Sequence, residues 1–179
     1  VISAVLDRAN VAPEDVTEVI MGQILTAGAG QNPARQAAIG AGIPVERTAM
    51  VINQLCGSGL RAVALGFQSI RNGDADVVIA GGQESMTQAP HCANLRNGQK
   101  LGSLEMIDSM LIDGLWDAFH GYHMGNTAEN VAKQFNISRE AQDAFAAASQ
   151  QKAEAAQKAD RFVAEITPVV VKGRKADVR

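Results

Sequence analysis

Cysteines and long apolar runs are both scarce in this sequence, and each shortage excludes a class of protein. Only two cysteines occur among 179 residues, Cys56 and Cys92, too few for a disulfide-based scaffold. No stretch approaches the roughly 20 apolar residues that a membrane-spanning helix needs. We therefore expect a protein of a reducing, cytoplasmic compartment with no membrane partner.

Basic residues are also few, and the formal net charge is −3. The only basic cluster, KGRK at residues 172–175, is short and typical of a solvated loop, although it could bind a small anion. A protein that tracks a phosphate backbone needs more positive charge than this, so nucleic acid is not an expected partner. With 46% hydrophobic and 20% charged residues, the chain has a globular composition.

The first half has the pattern of an α/β protein. Helical spacing at residues 1–10 is followed by a strand around residues 19–21, and Asn32 and Pro33 predict a helix start. Residues 48–53, 57–72 and 76–80 then predict strand, helix and strand. The last strand is apolar on both faces, as in a parallel strand that is covered on both sides.

The second half is less regular. Residues 87–124 contain only short helical pieces between glycines, and this length suggests an inserted functional subdomain. Two helices are predicted next, from near Asn126 and from Ser138, and then a strand at 166–171 that Pro168 weakens. Residues 1–6 have the pattern of a helix interior and no terminator precedes Arg179, so we expect a chain cut at both ends.

The motif NQLCGSG at residues 53–59 places Cys56 between a predicted strand and a predicted helix. A helix N-terminus offers free backbone N–H groups and the positive end of the helix dipole, which favour the nucleophilic thiolate. Small neighbours would let a thioester approach the backbone, and the N–H of Cys56 could bind an oxyanion. We therefore predict that Cys56 carries an acyl group.

Two other interpretations of this turn remain open. A lone cysteine in an apolar segment is often a small buried side chain without chemistry. The residues GSGLRA at 57–62 also match a dinucleotide fingerprint, which needs an acidic residue at the end of the next strand. Asp74 and Asp76 lie before that strand instead, which disfavours a dinucleotide-binding module.

Four motifs together resemble those of thiolases, specifically acetyl-CoA acetyltransferases of the bacterial biosynthetic type. They are the cysteine motif at residues 53–60, GGQESM at 81–86, GYHMGNTAEN at 121–130 and QNPARQ at 31–36. The resemblance extends over the whole chain. It implies an α/β fold with a thiolase-like mixed sheet, helices on both faces and an inserted, largely helical loop domain.

The resemblance also implies roles for residues. Residues 1–86 would form part of an N-terminal core and 87–179 part of the loop domain. Cys56 would be acylated by acetyl-CoA, Leu115 and His123 would contact the pantetheine part of coenzyme A, and Met124 would restrict the acyl pocket to short groups. Residues 91–109 would serve assembly of a tetramer, a dimer of dimers. No cofactor is implied beyond coenzyme A as part of the substrate.

Simpler interpretations of these residues also exist. His120 and His123 have the spacing of a metal pair, but further ordered ligands are missing, so no metal is expected. Either histidine could be structural, and Met124 could be an ordinary core residue. Cys92 follows Pro90 in a loop with no helix start beside it, so we expect an ordinary thiol.

Two thiolase motifs are absent from these 179 residues. The family takes its base from a Gly-His-Pro motif and its second acid/base from a Cys-x-Gly-Gly-Gly motif, and neither occurs here. We therefore expect an inactive part of the enzyme. A β-ketoacyl synthase-like condensing enzyme that uses an acyl-carrier partner, or a non-catalytic interaction module, are the remaining alternatives.

Overall fold

The computed structural model describes residues 1–172 and 177–178, which form two compact units, Val1–Met124 and Gly125–Arg179. Residues 173–175 of the basic cluster lie outside the described residues. The predicted boundary after residue 86, between an N-terminal core and a loop domain, stays a prediction.

A three-stranded parallel sheet forms the centre of the first unit. Its strands are β1 (Glu18–Gly22), β2 (Thr48–Ile52) and β3 (Val78–Gly82), in the order β2-β1-β3. Gly22 at the end of β1 lies opposite Ile52 on one side and Gly82 on the other, so the carboxyl ends of all three strands meet at one edge. The expected mixed sheet is wrong for these described strands, because all of them run parallel.

Helices cover both faces of this sheet, as predicted. On one face, α1 (Ile2–Ala9) and α2 (Pro33–Gly40) bury Leu6, Ala34 and Ala38 against alternate residues of β1, Val19 and Met21. On the other face lies α3 (Ser58–Asn72). There Ala62 is fully buried, and a Cβ on Gly66 would come within 3.0 Å of Val78. Small side chains on α3 therefore allow the helix to pack tightly on the sheet.

The outer face of α3 is apolar and exposed. Four side chains at helical spacing are 46–79% exposed: Leu60, Val63, Phe67 and Ile70. A helix that buries one face normally carries polar residues on the opposite face. This helix is apolar on both faces. Its predicted bounds, 57–72, differ from the observed ones by one residue at the start.

The remainder of the first unit is irregular, as predicted. It contains one antiparallel ribbon of β4 (His91–Cys92) and β5 (Ile107–Asp108), short 3₁₀ turns at Pro13–Asp15 and Met86–Gln88, and a π-helical turn at Leu111–Leu115.

Helices dominate the described part of the second unit. The first, α4 (Met124–Gln134), begins with the last residue of the first unit, two residues earlier than the predicted start at Asn126. The second, α5 (Arg139–Lys158), begins as predicted, because the Ser138 side chain accepts a hydrogen bond from the N–H of Ala141. The strand predicted at 166–171 is wrong except at its last residue, where β6 (Val171–Lys172) pairs with β7 (Asp177–Val178).

None of the helices among the described residues is both long enough and apolar enough to cross a membrane.

Candidate active site

Cys56 lies at the carboxyl edge of the parallel sheet, in the turn from β2 into α3. It is exposed, so the interpretation as a small buried residue is wrong. The cysteine lines an open cleft of about 310 Å³. The other lining residues come from the same turn and from the ends of β1 and β3: Leu55, Ser58, Gly59, Gly22, Gln23, Ile24, Gly82, Gln83 and Glu84. Ligands of parallel α/β sheets commonly bind at this edge.

The backbone immediately before Cys56 is strained. Leu55 has a φ of 49°, in the left-handed region that costs an ordinary L-residue roughly 1–2 kcal/mol. Two side chains hold it there. The amide oxygen of Asn53 accepts from the Leu55 N–H at 3.0 Å, and the Ser58 hydroxyl donates to the Leu55 carbonyl at 2.6 Å. Strain of this kind persists only where the surrounding contacts fix the conformation.

Glycines let the start of α3 approach the sheet behind the turn. A Cβ on Gly22 would lie 2.5–2.6 Å from backbone and Cβ atoms of Ser58 and from the Gly59 nitrogen. Real Cβ atoms essentially never come this close, so only glycine fits at position 22. The end of β1 thus supports the helix start that carries the cysteine turn.

A polar network on the other side of the cleft escaped the prediction. The Glu84 carboxylate accepts from the backbone N–H groups of Ile24 and Leu25, both at 2.9 Å. Next to it, Gln83 donates its side-chain amide to the Gln23 side chain at 2.9 Å. The sequence indicates Glu84 only as part of the GGQESM motif, and its position two residues after a strand is the available signal.

Leu115, His123 and Met124 form a second group in the first unit. Leu115 is half-buried at the end of the π-helical turn, and its neighbour Trp116 makes an antiparallel bridge with half-buried His123. Met124, 39% exposed, follows as the first residue of α4. The structure therefore brings these three predicted residues together. None of them is among the residues that line the Cys56 cleft.

A tight loop joins Trp116 to His123, and Asp117 organises it. One oxygen of this carboxylate accepts from the N–H groups of Phe119 at 2.8 Å and His120 at 3.0 Å. The other lies 2.9 Å from the His120 ring nitrogen Nδ1. The hydrogen bond from the His120 N–H, followed by that from Phe119, lowers the pKa of Asp117 below its ordinary value. His120 thus has a structural partner in its own loop.

Two remaining expectations concern Cys92, predicted to be an ordinary thiol, and metal binding, which was not expected. Cys92 is exposed in β4, with its sulfur 3.9 Å from the Pro90 carbonyl oxygen. Among residues 1–172 and 177–178, no three His, Cys, Asp or Glu side chains come together in a way that could hold a metal ion.

The strand order argues against the interpretation of residues 57–62 as a dinucleotide-binding motif. β1 lies between β2 and β3, so the strands before and after the glycine motif are not neighbours. Asp76 precedes β3, as the sequence indicated, and both oxygens of Glu84 after β3 already bind backbone N–H groups. A ribose would have to displace these bonds.

These features define an α/β protein with an exposed cysteine in the turn before a helix, at the carboxyl edge of a parallel sheet. The family model for the thiolase N-terminal domain matches residues 1–179. The chain belongs to the thiolase family.

Curated relatives and solved structures support the same family. The chain is 67% identical over 178 residues to an acetyl-CoA acetyltransferase of Shinella zoogloeoides and 66% identical over 177 residues to one of Rhizobium meliloti (strain 1021). Each match covers 99% of this chain but 45% of the relative, so the chain spans less than half the length of these proteins.

Two solved structures share the fold. The Bacillus anthracis acetyl-CoA acetyltransferase superposes with a TM-score of 0.94 at 36% identity, over 99% of this chain and 45% of that one. The Acat5 thiolase from Ascaris suum, in complex with coenzyme A, gives 0.89 at 36% identity, over 94% and 44%.

Proposed function

We propose that this chain is the N-terminal part of an acetyl-CoA acetyltransferase and that Cys56 carries the acetyl group. The observation that supports this most directly is the position of Cys56. It is exposed in a strained turn, beside a cleft at the carboxyl edge of the sheet. The acetyl-CoA acetyltransferases that match nearly the whole chain support the substrate.

The proposed reaction has two steps. The Cys56 thiolate attacks the carbonyl carbon of acetyl-CoA, a sulfur–carbon bond forms, and coenzyme A leaves as a thiolate. A second acetyl-CoA then loses a proton from its α-carbon, and this carbon attacks the acetyl-cysteine to give acetoacetyl-CoA and free Cys56. Thiolysis is the same path in reverse. The backbone N–H of Cys56 would donate to the oxyanion that forms on the attacked carbonyl.

The second group of residues would hold the coenzyme. In this proposal Leu115 and His123 contact the pantetheine arm, and Met124 narrows the acyl pocket to short chains. Their common placement around the bridge between Trp116 and His123 supports a shared role. Coenzyme A enters and leaves as part of the substrate, and no separate cofactor is proposed.

Catalysis requires residues that these 179 do not supply. Neither a Gly-His-Pro nor a Cys-x-Gly-Gly-Gly motif occurs in them, so the base for Cys56 and the acid/base for the second acetyl-CoA must come from elsewhere. The 45% coverage of the relatives supports the proposal that a further half of the protein provides them.

Assembly belongs to the same proposal. The β4–β5 ribbon falls within residues 91–109, the segment that we propose contributes to a tetramer of the full-length protein.

Activity assays on two proteins test the proposal. One is the full-length protein, meaning this chain with the half that its relatives also carry, and the other is residues 1–179 alone. We expect condensation and thiolysis of short-chain acyl-CoA by the first only. The exposed apolar face of α3 gives a further reason for the second to fold or dissolve poorly. Near-normal condensation by residues 1–179 would refute the proposed division of the active site.

The same assay separates the rival functions. A β-ketoacyl synthase-like enzyme would prefer acetyl-carrier protein to acetyl-CoA as the acetyl donor. A non-catalytic interaction module would use neither donor, and its Cys56 would react with iodoacetamide no faster than Cys92.

A further inference from the structure

The hydroxyl of Ser58 closes the turn that presents Cys56. Its oxygen accepts a hydrogen bond from the Gln54 N–H at 2.8 Å, and its O–H donates one to the Leu55 carbonyl at 2.6 Å. These two partners precede Cys56, and Ser58 follows it by two residues. A single side chain therefore joins both ends of the turn around the cysteine.

This hydroxyl has no role in capping the helix that follows. The N-cap of α3 is Gly57, which makes no side-chain cap, while Arg61 donates its backbone N–H to the Gly57 carbonyl at 2.9 Å. Ser58 itself is only 4% exposed and is held against Gly22. The helix start is thus fixed by backbone contacts, and the buried hydroxyl serves the turn.

The turn needs such support because of Leu55. Its φ of 49° is unfavourable for leucine, and an unsupported segment would relax toward a negative φ. Rotation at residue 55 would move the backbone N–H and the sulfur of residue 56 together. These are the two groups that the proposed function assigns to oxyanion binding and to attack.

We propose that Ser58 is a positioning residue for Cys56, assisted by Asn53, and that the pair sets the rate of acyl transfer to the sulfur. The inference rests on the proposed function. The inference extends the proposed function, because it assigns control of the acylation rate to two side chains that need not touch the substrate.

The test uses the full-length protein and rapid-quench mass spectrometry of Cys56 acetylation by acetyl-CoA. Ser58→Ala should slow acetylation and lower kcat about tenfold, the equivalent of one hydrogen bond. The KM for acetyl-CoA should stay within about twofold of wild type, because the coenzyme contacts remain. Ser69→Ala, a serine on the same helix away from the turn, is the matched control and should leave both constants unchanged.

Asn53 provides a second test that does not depend on a buried site. It is exposed, so its variants should fold. Asn53→Ala removes the acceptor for the Leu55 N–H and should slow acetylation. Asn53→Asp keeps an oxygen there and should retain most of the rate.

The outcomes are distinct. Slower acetylation in Ser58→Ala and Asn53→Ala, with recovery in Asn53→Asp, supports the inference. Wild-type acetylation rates in both alanine variants overturn it, as does a slower Asn53→Ala that Asn53→Asp fails to restore. If wild-type Cys56 takes up no acetyl group at all, the proposed function itself fails.

Discussion

Glu84 binds Leu25 across the carboxyl edge of the sheet: one carboxylate oxygen accepts the Leu25 N–H at 2.9 Å, and the other accepts the N–H of the neighbouring Ile24 at 2.9 Å. This bidentate contact joins the segment after β3 to the segment after β1. Both segments line the Cys56 cleft. The negative charge of Glu84 is thus committed to the scaffold of the site.

Replacing Glu84 should loosen this edge of the cleft. Glu84→Gln puts an NH₂ group against one of two backbone N–H groups, so one hydrogen bond is lost. Hydrogen bonds to charged groups contribute about 1.5–3 kcal/mol. We expect the free energy of unfolding in urea to fall by about 1–2 kcal/mol, less than the upper value because the site is exposed. Glu105→Gln, another exposed glutamate, is the control, and equal unfolding midpoints for the two variants would contradict the assigned contact.

Gly22 tests the close approach of β1 to α3. An alanine there would place its Cβ 2.5–2.6 Å from atoms of Ser58 and Gly59, most of them backbone, so the helix start must move. Overpacking of this kind costs about 1–3 kcal/mol or more. Gly22→Ala should lower the thermal midpoint and slow alkylation of Cys56 by iodoacetamide.

The matched control lies in the same sheet. A Cβ on Gly81 would meet nothing within 4 Å. Gly81→Ala should therefore keep the wild-type thermal midpoint and alkylation rate. Similar behaviour of the two alanine variants would show that the approach at Gly22 does not constrain the turn.

The loop before His123 should respond to acid through Asp117. Because its pKa is lowered in the folded state, the carboxylate stabilises the loop above the ordinary value of 3.8 and loses this effect as the pH falls through the folded-state value. Amide hydrogen exchange at Phe119 and His120, relative to that at Trp116, should therefore accelerate as the pH falls below about 4. Asp117→Asn should abolish this acid dependence, and an unchanged ratio in the wild type would contradict it.

The sequence predicted β1, β2 and α3 to within a few residues because their periodicity and glycine boundaries are strong. It placed β3 two residues too early: the predicted strand at 76–80 stops before Gly81 and Gly82, which pair with Met21 and Gly22 of β1. Strand pairing outweighed the weak strand propensity of glycine at these two positions.

The site was predictable only in part. The position of Cys56 followed from the strand–cysteine–glycine order, whereas for Leu115 and His123 the family resemblance implied only contact with the same part of coenzyme A. The positive φ of Leu55 could not be foreseen, because leucine disfavours it. Asn53, a frequent former of side-chain turns two residues earlier, was the only local signal. The contacts of Glu84 join residues about 60 positions apart, which no local pattern encodes.

The central claim is that Cys56 carries the acetyl group, and one measurement addresses it directly. The full-length protein is mixed with acetyl-CoA, quenched in acid, digested and examined by mass spectrometry for acetylated cysteine. We predict one acetyl group on the peptide that contains Cys56, none on the peptide that contains Cys92, and loss of the label in Cys56→Ala. An acetyl group that persists in Cys56→Ala, or a wild-type protein that turns over acetyl-CoA without ever acetylating Cys56, would contradict the account.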